Sequence, residues 1–206
     1  MVDIDRRAIE IIADEGESRS TQDRVAVLER YHGDRPGVPE RAVAAYAREL
    51  AAQSDVAFDA DTCLDAVADR ATDAASWQGR ERFYELDGER RSRYPAPWHD
   101  RLAGESDPAA YLRFFGSTAE AFLDDQHGSK PGVTEDTLIE VLVLVGRLDR
   151  ESAVSAIEAA RDEGTIVEDA DQHPRAGVYL ADETQLTGAR RRSPRGWDPQ
   201  CRSESA

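Results

Sequence analysis

Apolar residues recur at helical spacing through most of the chain, and residues typical of helix caps bound several of these stretches. Across residues 40–51 an apolar side chain returns every three or four positions, as on one buried helix face. Asp59 and Asp149 each precede a further stretch of this kind, where an aspartate can cap a helix N-terminus. Two short apolar segments, 165–167 and 177–180, bracket a polar loop and predict a hairpin. The pattern predicts a mainly α protein with small β-hairpins.

The chain also contains an internal repeat. His32–Glu40 returns as His127–Glu135 with six of nine positions identical. In both copies the motif is followed by a helical stretch and then by a helix that begins after an aspartate. Each copy ends in an apolar segment with a tyrosine, Phe83–Leu86 in the first and Val178–Ala181 in the second. Two copies of one small module account for this order.

The residues of the repeated motif predict a junction between two helices. A glycine just past a helix end supplies the left-handed turn that ends it, and a histidine in the last turn suits the carbonyl end of the helix. We therefore interpret His32 and His127 as helix caps and not as metal ligands. Pro39 or Thr134 then begins the next helix, because proline fits a first turn and threonine caps one.

Three segments are less clearly defined by pattern alone. Leu138–Val145 is so continuously apolar that a buried strand is also possible, but its place in the repeat favours a helix. In the first copy, Ala74–Trp77 stands where the second copy has a glycine that ends the helix. Asp87-Gly88 is a tight-turn signal, which would extend the first hairpin beyond Phe83–Leu86.

The composition is strongly acidic. The 206 residues include 42 Asp and Glu against 26 Lys and Arg, the formal net charge is -16, and Lys130 is the one lysine. In these respects the chain resembles the cytosolic proteins of haloarchaea, whose hydrated carboxylates keep them soluble in molar salt. Because the Debye length falls to about 3 Å at that salt concentration, the net charge does not exclude nucleic acid as a partner. The local positions of arginines become decisive.

The sequence lacks the signals of a membrane, secreted or catalytic protein. No apolar run reaches about 18 residues, and charged residues occupy the N-terminus where a signal peptide would be apolar. We therefore expect a cytoplasmic protein. The histidines lack metal-ligand spacing, Cys63 and Cys201 form neither a zinc motif nor a disulfide framework, and no nucleophile or nucleotide-binding motif occurs. We expect no enzyme activity, no cofactor and no metal.

The order of predicted elements, helix, short extended link, two helices and a hairpin, resembles the winged-helix superfamily. The resemblance covers residues 20 to 90 and 108 to 182, and includes Asp162–Val167 followed by a strand that carries a tyrosine. It implies two tandem winged-helix-like modules. The expected organisation is an N-terminal helix (1–19), a first module (20–94), a linker (95–107), a second module (108–182) and a disordered tail with arginines (183–206).

Winged-helix modules bind DNA or dock proteins, so the resemblance leaves two functions open. The leading hypothesis is a non-enzymatic, DNA-associated or transcription-related protein that contacts phosphate through arginines, which can fork onto phosphate oxygens. The candidate contacts are Arg90, Arg91, Arg93, Arg150, Arg161, Arg190, Arg191 and Arg192. The alternative for these clusters is ion pairing with neighbouring carboxylates.

The second hypothesis is an adaptor that docks a protein partner without nucleic acid. Asp61, Asp65 and Asp69 recur every four residues and form one acidic helix face, which is either a solvated surface or a docking surface. Tyr94 and Trp98 are further candidate contacts, although aromatic residues beside prolines also pack a linker onto a domain. The sequence does not indicate the partner, the DNA target or the oligomeric state.

Overall fold

Helices account for most of the residues described by the computed structural model, which are residues 2–14, 20–32, 35–52, 59–87, 89–127, 132–168 and 177–181. The helices are α1 (Arg6–Asp14), α2 (Thr21–Tyr31), α3 (Glu40–Ala51), α4 (Ala60–Asp69), α5 (Ala96–Leu102), α6 (Pro108–Thr118), α7 (Glu120–His127), α8 (Glu135–Leu144) and α9 (Arg150–Asp162). The strands are β1 (Val38–Pro39), β2 (Ala71–Thr72), β3 (Phe83–Glu85), β4 (Arg90–Ser92), β5 (Val133–Thr134), β6 (Ile166–Glu168) and β7 (Gly177–Leu180). The expected mainly α protein with small sheets is confirmed.

Each half of the chain contributes one small sheet. The first has the order β1-β4-β3-β2, in which the β1/β4 and β3/β4 pairs are antiparallel and the β2/β3 pair is parallel. The second has the order β5-β7-β6 and is antiparallel throughout. We name α2 through β4 the first unit and α6 through β7 the second unit.

The two units share one arrangement of strands. In each, the strand after the repeated motif pairs with the last strand, with Val38 opposite Arg91 and Val133 opposite Val178. The expected match of Phe83–Leu86 with Val178–Ala181 is therefore wrong, because β3 pairs with β4 as β6 pairs with β7. The first hairpin does extend past Asp87 as predicted, and the repeat in the first unit continues to Ser92.

A glycine in the motif permits this pairing in both units. A Cβ atom added to Gly37 would lie 2.9 Å from the carbonyl oxygen of Arg91, and one added to Gly132 would lie 2.9 Å from that of Val178. A side chain cannot approach a backbone oxygen so closely, so glycine is required at both positions. The recurrence of Pro-Gly-Val in the sequence thus has a common steric cause.

The predicted helix boundaries are largely confirmed. The side-chain oxygens of Asp59, Thr134 and Asp149 each accept a hydrogen bond from the backbone N–H three residues further on. His32 is the C-terminal cap of α2. Residues Leu138–Leu144 belong to α8 and not to a strand, because a buried helix tolerates apolar residues on all sides.

Two apolar clusters fill the interior. One is formed by the first unit together with α1, which contributes Ile12. The other begins at Trp77 and Tyr84 of the first unit and continues through the core of the second. The expected linker, residues 95–107, contains α5, and Trp98 on this helix belongs to the second cluster. A continuous apolar core therefore joins the units. Within the described ranges, no helix is long and apolar enough to span a bilayer.

Candidate binding surfaces

Arg90 fixes the repeated motif to strand β4. Its Nε donates a hydrogen bond to the carbonyl oxygen of Pro36 at 2.7 Å, and its Nη2 donates to those of Arg35 at 2.9 Å and Gly37 at 2.5 Å. Two of its three side-chain nitrogens are therefore engaged by the main chain. This predicted phosphate contact has a structural role in the first unit.

Arg91 is enclosed by carboxylates. Its side chain is 9% exposed, and its Nη2 forms ion pairs with Glu40 Oε1 and, at 3.1 Å, with Glu85 Oε1. The three groups join the start of α3 to strands β3 and β4. The prediction of a phosphate contact at Arg91 is not supported by this position, because the guanidinium is buried and already paired.

The second unit repeats this arrangement with an arginine from a different element. Arg161 Nη2 on α9 lies 2.8 Å from Glu135 Oε2 and 3.0 Å from Glu168 Oε2. Glu135 corresponds to Glu40 in the repeated motif, and Glu168 corresponds to Glu85 in the strand register. Both units therefore keep the acid pair and bridge it with one guanidinium. Arg161, another predicted phosphate contact, is likewise engaged within the protein.

Arg93 connects the two units. Its Nη1 lies 2.9 Å from Asp23 Oδ1 on α2, and its Nε lies 2.9 Å from Glu140 Oε1 on α8. Burial acts to lower the pKa of Arg93, but the charges of Glu140 and Asp23 outweigh it and raise that pKa. The side chain is 15% exposed. It is therefore part of the interface between the units and not a free contact for phosphate.

Tyr94 and Trp98 also belong to this interface. Each is 2% exposed, so neither is presented to a docking partner as the sequence had suggested. Their rings are stacked with centroids 5.4 Å apart, Trp77 stacks on Tyr94 at 6.0 Å, and Phe122 meets Trp98 edge-on at 5.1 Å. Tyr94 Oη donates a hydrogen bond to Glu140 Oε1 at 2.8 Å. The alternative interpretation, that these aromatic residues pack the linker, agrees with their positions.

A buried polar cluster lies beneath the first hairpin. Ser92 Oγ donates to Glu29 Oε1 at 2.8 Å and lies 2.9 Å from His99 Nε2. Glu29 also accepts from the backbone N–H groups of Gly37 and Arg93. Burial raises the pKa of Glu29 to about 7 against these hydrogen bonds, and burial lowers the pKa of His99 to about 4. Because Ser92 is fully buried, its hydroxyl is not presented to a substrate.

The third helix of the first unit exposes the predicted acidic face. Asp61, Asp65 and Asp69 are all exposed on α4, where the aspartate spacing placed them. A groove of about 340 Å³ runs beside this face between α3 and α4. Its lining is apolar, with charged residues at one end: Val43, Ala44, Leu64, Val67, Ala68, Glu40 and Arg41. The sequence predicted the aspartates but not the groove, which needs two helices to form.

A second concavity lies between the units and is lined by arginines. This cleft has a volume of about 470 Å³ and is bounded by the end of α2, residues 35–36, the end of α8 and the start of α9. Arg150, a predicted phosphate contact, lines it together with Arg30, Arg35 and Arg147. The last three were not among the predicted contacts, because they are isolated in sequence and only the docking of the units brings them together.

Some predicted features lie outside the described residues. They are Arg190, Arg191, Arg192 and the tail 183–206, together with Cys201, His173 and the side chain of His127. Within the part of the chain that the structure describes, no group of three or more His, Cys, Asp or Glu side chains is arranged to hold a metal ion.

Similarity to known proteins does not indicate what these surfaces bind. No protein-family model, no curated protein and no solved structure matches the chain.

Proposed function

We propose that this protein is a non-enzymatic adaptor built from two winged-helix-like units, and that it docks a protein partner on the first unit. The winged-helix assignment is supported by the order of helices and strands and by the placement of the motif strand beside the last strand in both sheets. The shared core and the Arg93 contacts hold the two units as one body, which suits a docking scaffold.

The observation that carries the docking proposal is the groove between α3 and α4. Its apolar lining beside Asp61, Asp65 and Asp69 fits a partner segment that presents apolar side chains on one face and basic side chains on the adjacent face. An amphipathic helix with arginine or lysine has this chemistry, and a helix lying in a groove is a common recognition mode. Apolar burial also persists at molar salt, where long-range charge attraction is screened.

Association with duplex DNA is the second candidate function. Arg150 favours it, since this side chain is exposed at the start of α9 and forms no ion pair with a described residue. Other positions disfavour it, because exposed carboxylates dominate α4 and α9, the helices that would enter the major groove. Arg91, Arg93 and Arg161 are held in ion pairs. We therefore place protein docking first.

The test uses a fluorescent amphipathic peptide with leucine and arginine at helical spacing, in molar KCl. Anisotropy should report saturable binding to the intact protein and much weaker binding of a scrambled peptide of the same composition. Ala68→Arg, which puts a bulky cation into the groove, should weaken binding at least tenfold. Ala159→Arg is the matched control, because Ala159 is an exposed alanine on α9, a helix that contributes no residue to the groove.

A second matched pair tests the acidic face. Replacing Asp61, Asp65 and Asp69 with Asn should weaken peptide binding, whereas the same charge change at Glu151, Glu158 and Asp162 on α9 should not. Labelled duplex DNA is the competing probe. Two results together would reject the adaptor in favour of the second candidate: the protein binds DNA saturably, and it binds the amphipathic peptide no more tightly than the scrambled peptide.

A further inference from the structure

The cleft between the units is built from positive charge in a chain of strongly negative net charge. Arg30, Arg35, Arg147 and Arg150 all line it, although the chain as a whole carries a formal charge of -16. None of these four side chains forms an ion pair with a residue that the structure describes. Elsewhere in the protein, Arg91, Arg93 and Arg161 each contact two carboxylates. The cleft therefore gathers four arginines that lack the paired carboxylates of Arg91, Arg93 and Arg161.

The two carboxylates of the cleft have other partners. Glu29 accepts hydrogen bonds from Ser92 and from the backbone of Gly37 and Arg93. Asp149 caps α9, with its oxygens 2.9 Å from Ser152 N and 2.6 Å from Ser152 Oγ. Within the described residues, neither acid forms an ion pair with a lining arginine, so the cleft sets four guanidinium groups against two carboxylates.

Arg35 and Arg147 also lie close enough to Arg90 to affect its pKa. Burial lowers the pKa of Arg90, and the charges of Arg35 and Arg147 lower it further, while Asp87 and Glu29 oppose them. Arg90 is not a lining residue, but it donates hydrogen bonds to the main chain of residues 35–37, of which Arg35 and Pro36 line the cleft. Like charges gathered in one cleft repel one another, and a bound anion would relieve that repulsion. In addition, the buried Nε of Arg30 has no hydrogen-bond partner in the described part of the chain.

The backbone at Arg147 adds an independent observation. Its φ is +64°, in the left-handed region where glycine is the usual residue, and it is the one non-glycine residue with positive φ in the described ranges. Gly146 precedes it, so the turn between α8 and α9 already contains a residue free of a side chain. An arginine therefore occupies a backbone position that glycine would adopt with less strain, and residues in such conformations cluster at binding and active sites.

We propose that this cleft binds the phosphate groups of a small phosphorylated molecule, of about the size of a nucleotide, between the two units. Guanidinium groups donate paired hydrogen bonds to phosphate oxygens, and four arginines line this cleft. The volume of about 470 Å³ lies in the range of small-molecule sites. The concave shape between two units accepts a small molecule more readily than a rigid duplex. The proposal does not depend on the docking groove, which lies on other helices.

Isothermal titration calorimetry of the intact protein in molar KCl, with inorganic phosphate, AMP and ATP as probes, tests this site. We expect saturable binding at one site, with ATP tighter than AMP and a rise in Tm on addition of ATP. Arg147→Gly should weaken ATP at least tenfold while leaving the Tm of the free protein equal or higher, because glycine relieves the backbone. A loss of affinity in this variant therefore cannot come from unfolding.

Two more variants complete the test. Arg35→Gln removes a second guanidinium from the opposite wall and should also weaken ATP at least tenfold. Arg113→Gln, which alters an exposed arginine paired with Asp107, should have no effect on ATP binding. The proposal is overturned by the absence of saturable binding of all three probes, by unchanged ATP affinity in Arg147→Gly, or by binding of duplex DNA in preference to every small phosphate compound.

Discussion

The Nε atom of Arg93 lies 2.9 Å from Oε1 of Glu140, and this ion pair joins the end of the first hairpin to helix α8 of the second unit. Arg93 also forms an ion pair with Asp23 on α2, so one guanidinium contacts two helices from different units. Removing it leaves two carboxylates at the interface without their cation. We expect Arg93→Ala to lower the free energy of unfolding by about 2–4 kcal/mol, measured by urea denaturation in molar KCl.

Arg41→Ala supplies the control for this prediction. Arg41 pairs with Glu89 at 3.5 Å, but the two side chains are 72% and 80% exposed. Solvent screens such a pair, so its loss should change the free energy of unfolding by less than about 0.5 kcal/mol. Equal effects of the two substitutions would show that Arg93 does not stabilise the interface.

The stacked aromatic residues predict cooperative unfolding of the two units. Trp77 and Trp98 belong to the same apolar cluster as Leu142 and Ile157 of the second unit. We expect tryptophan fluorescence and circular dichroism to report one coincident transition. Trp98→Ala should cost about 3–5 kcal/mol by opening a cavity in this cluster, and should separate the two signals. Trp98→Phe keeps a ring in the cluster and should retain a single transition.

Because Gly37 closely approaches strand β4, replacing it should lower stability more than its positive φ alone would predict. Gly37 has φ +72°, and an added Cβ would lie 2.7 Å from Leu86 Cδ1 as well as 2.9 Å from the Arg91 carbonyl oxygen. Gly104 has a similar φ of +76° but nothing within 4 Å of an added Cβ. Gly104→Ala should therefore cost about 1 kcal/mol and Gly37→Ala about 2–4 kcal/mol. Thermal unfolding of both variants measures the difference, and equal costs would contradict a steric role for Gly37.

Local features were predictable from sequence because their causes are local. An aspartate before a helix caps the N–H groups a few residues away, so Asp59 and Asp149 could be identified without knowing the fold. The recurrence of the motif was visible in the sequence, but the close approach of Gly37 and Gly132 to the last strand of each sheet was not. The exposure of Asp61, Asp65 and Asp69 followed from their spacing on one helix.

The roles of the arginines were not predictable in the same way. Arg93 meets Asp23, 70 residues earlier in the chain, and its second partner, Glu140, lies in the other unit. Sequence neighbours could not indicate either contact. The cleft has the same origin, since Arg35 and Arg147 are adjacent only after the units pack together. The predicted correspondence of β3 with β7 rested on the tyrosine that both strands carry. It was wrong because the position of a strand in its sheet is set by its pairing, and the pairing relates β3 to β6.

The buried contact among Glu29, Ser92 and His99 predicts two opposing effects of pH on stability. The pKa of Glu29 is raised by burial to about 7, so the folded state binds this proton more tightly than the unfolded state. Its contribution to stability is full below about pH 4.5 and is lost as pH rises through 7. The pKa of His99 is lowered by burial to about 4, so its contribution is full above about pH 6.5 and is lost as pH falls towards 4.

In the wild-type protein the two effects offset each other between about pH 4.5 and 6.5, and Glu29→Gln should reveal the histidine alone. The free energy of unfolding of this variant should fall on acidification from pH 6.5 to 4.5, by at most about 1.4 kcal/mol per pH unit. His99→Gln should behave in the opposite way and gain stability on acidification from pH 7 to 4.5, because only the protonation of Glu29 remains. Urea denaturation at several pH values in constant molar KCl measures both slopes. Parallel pH profiles for the wild type and both variants would mean that neither group changes its proton affinity on folding.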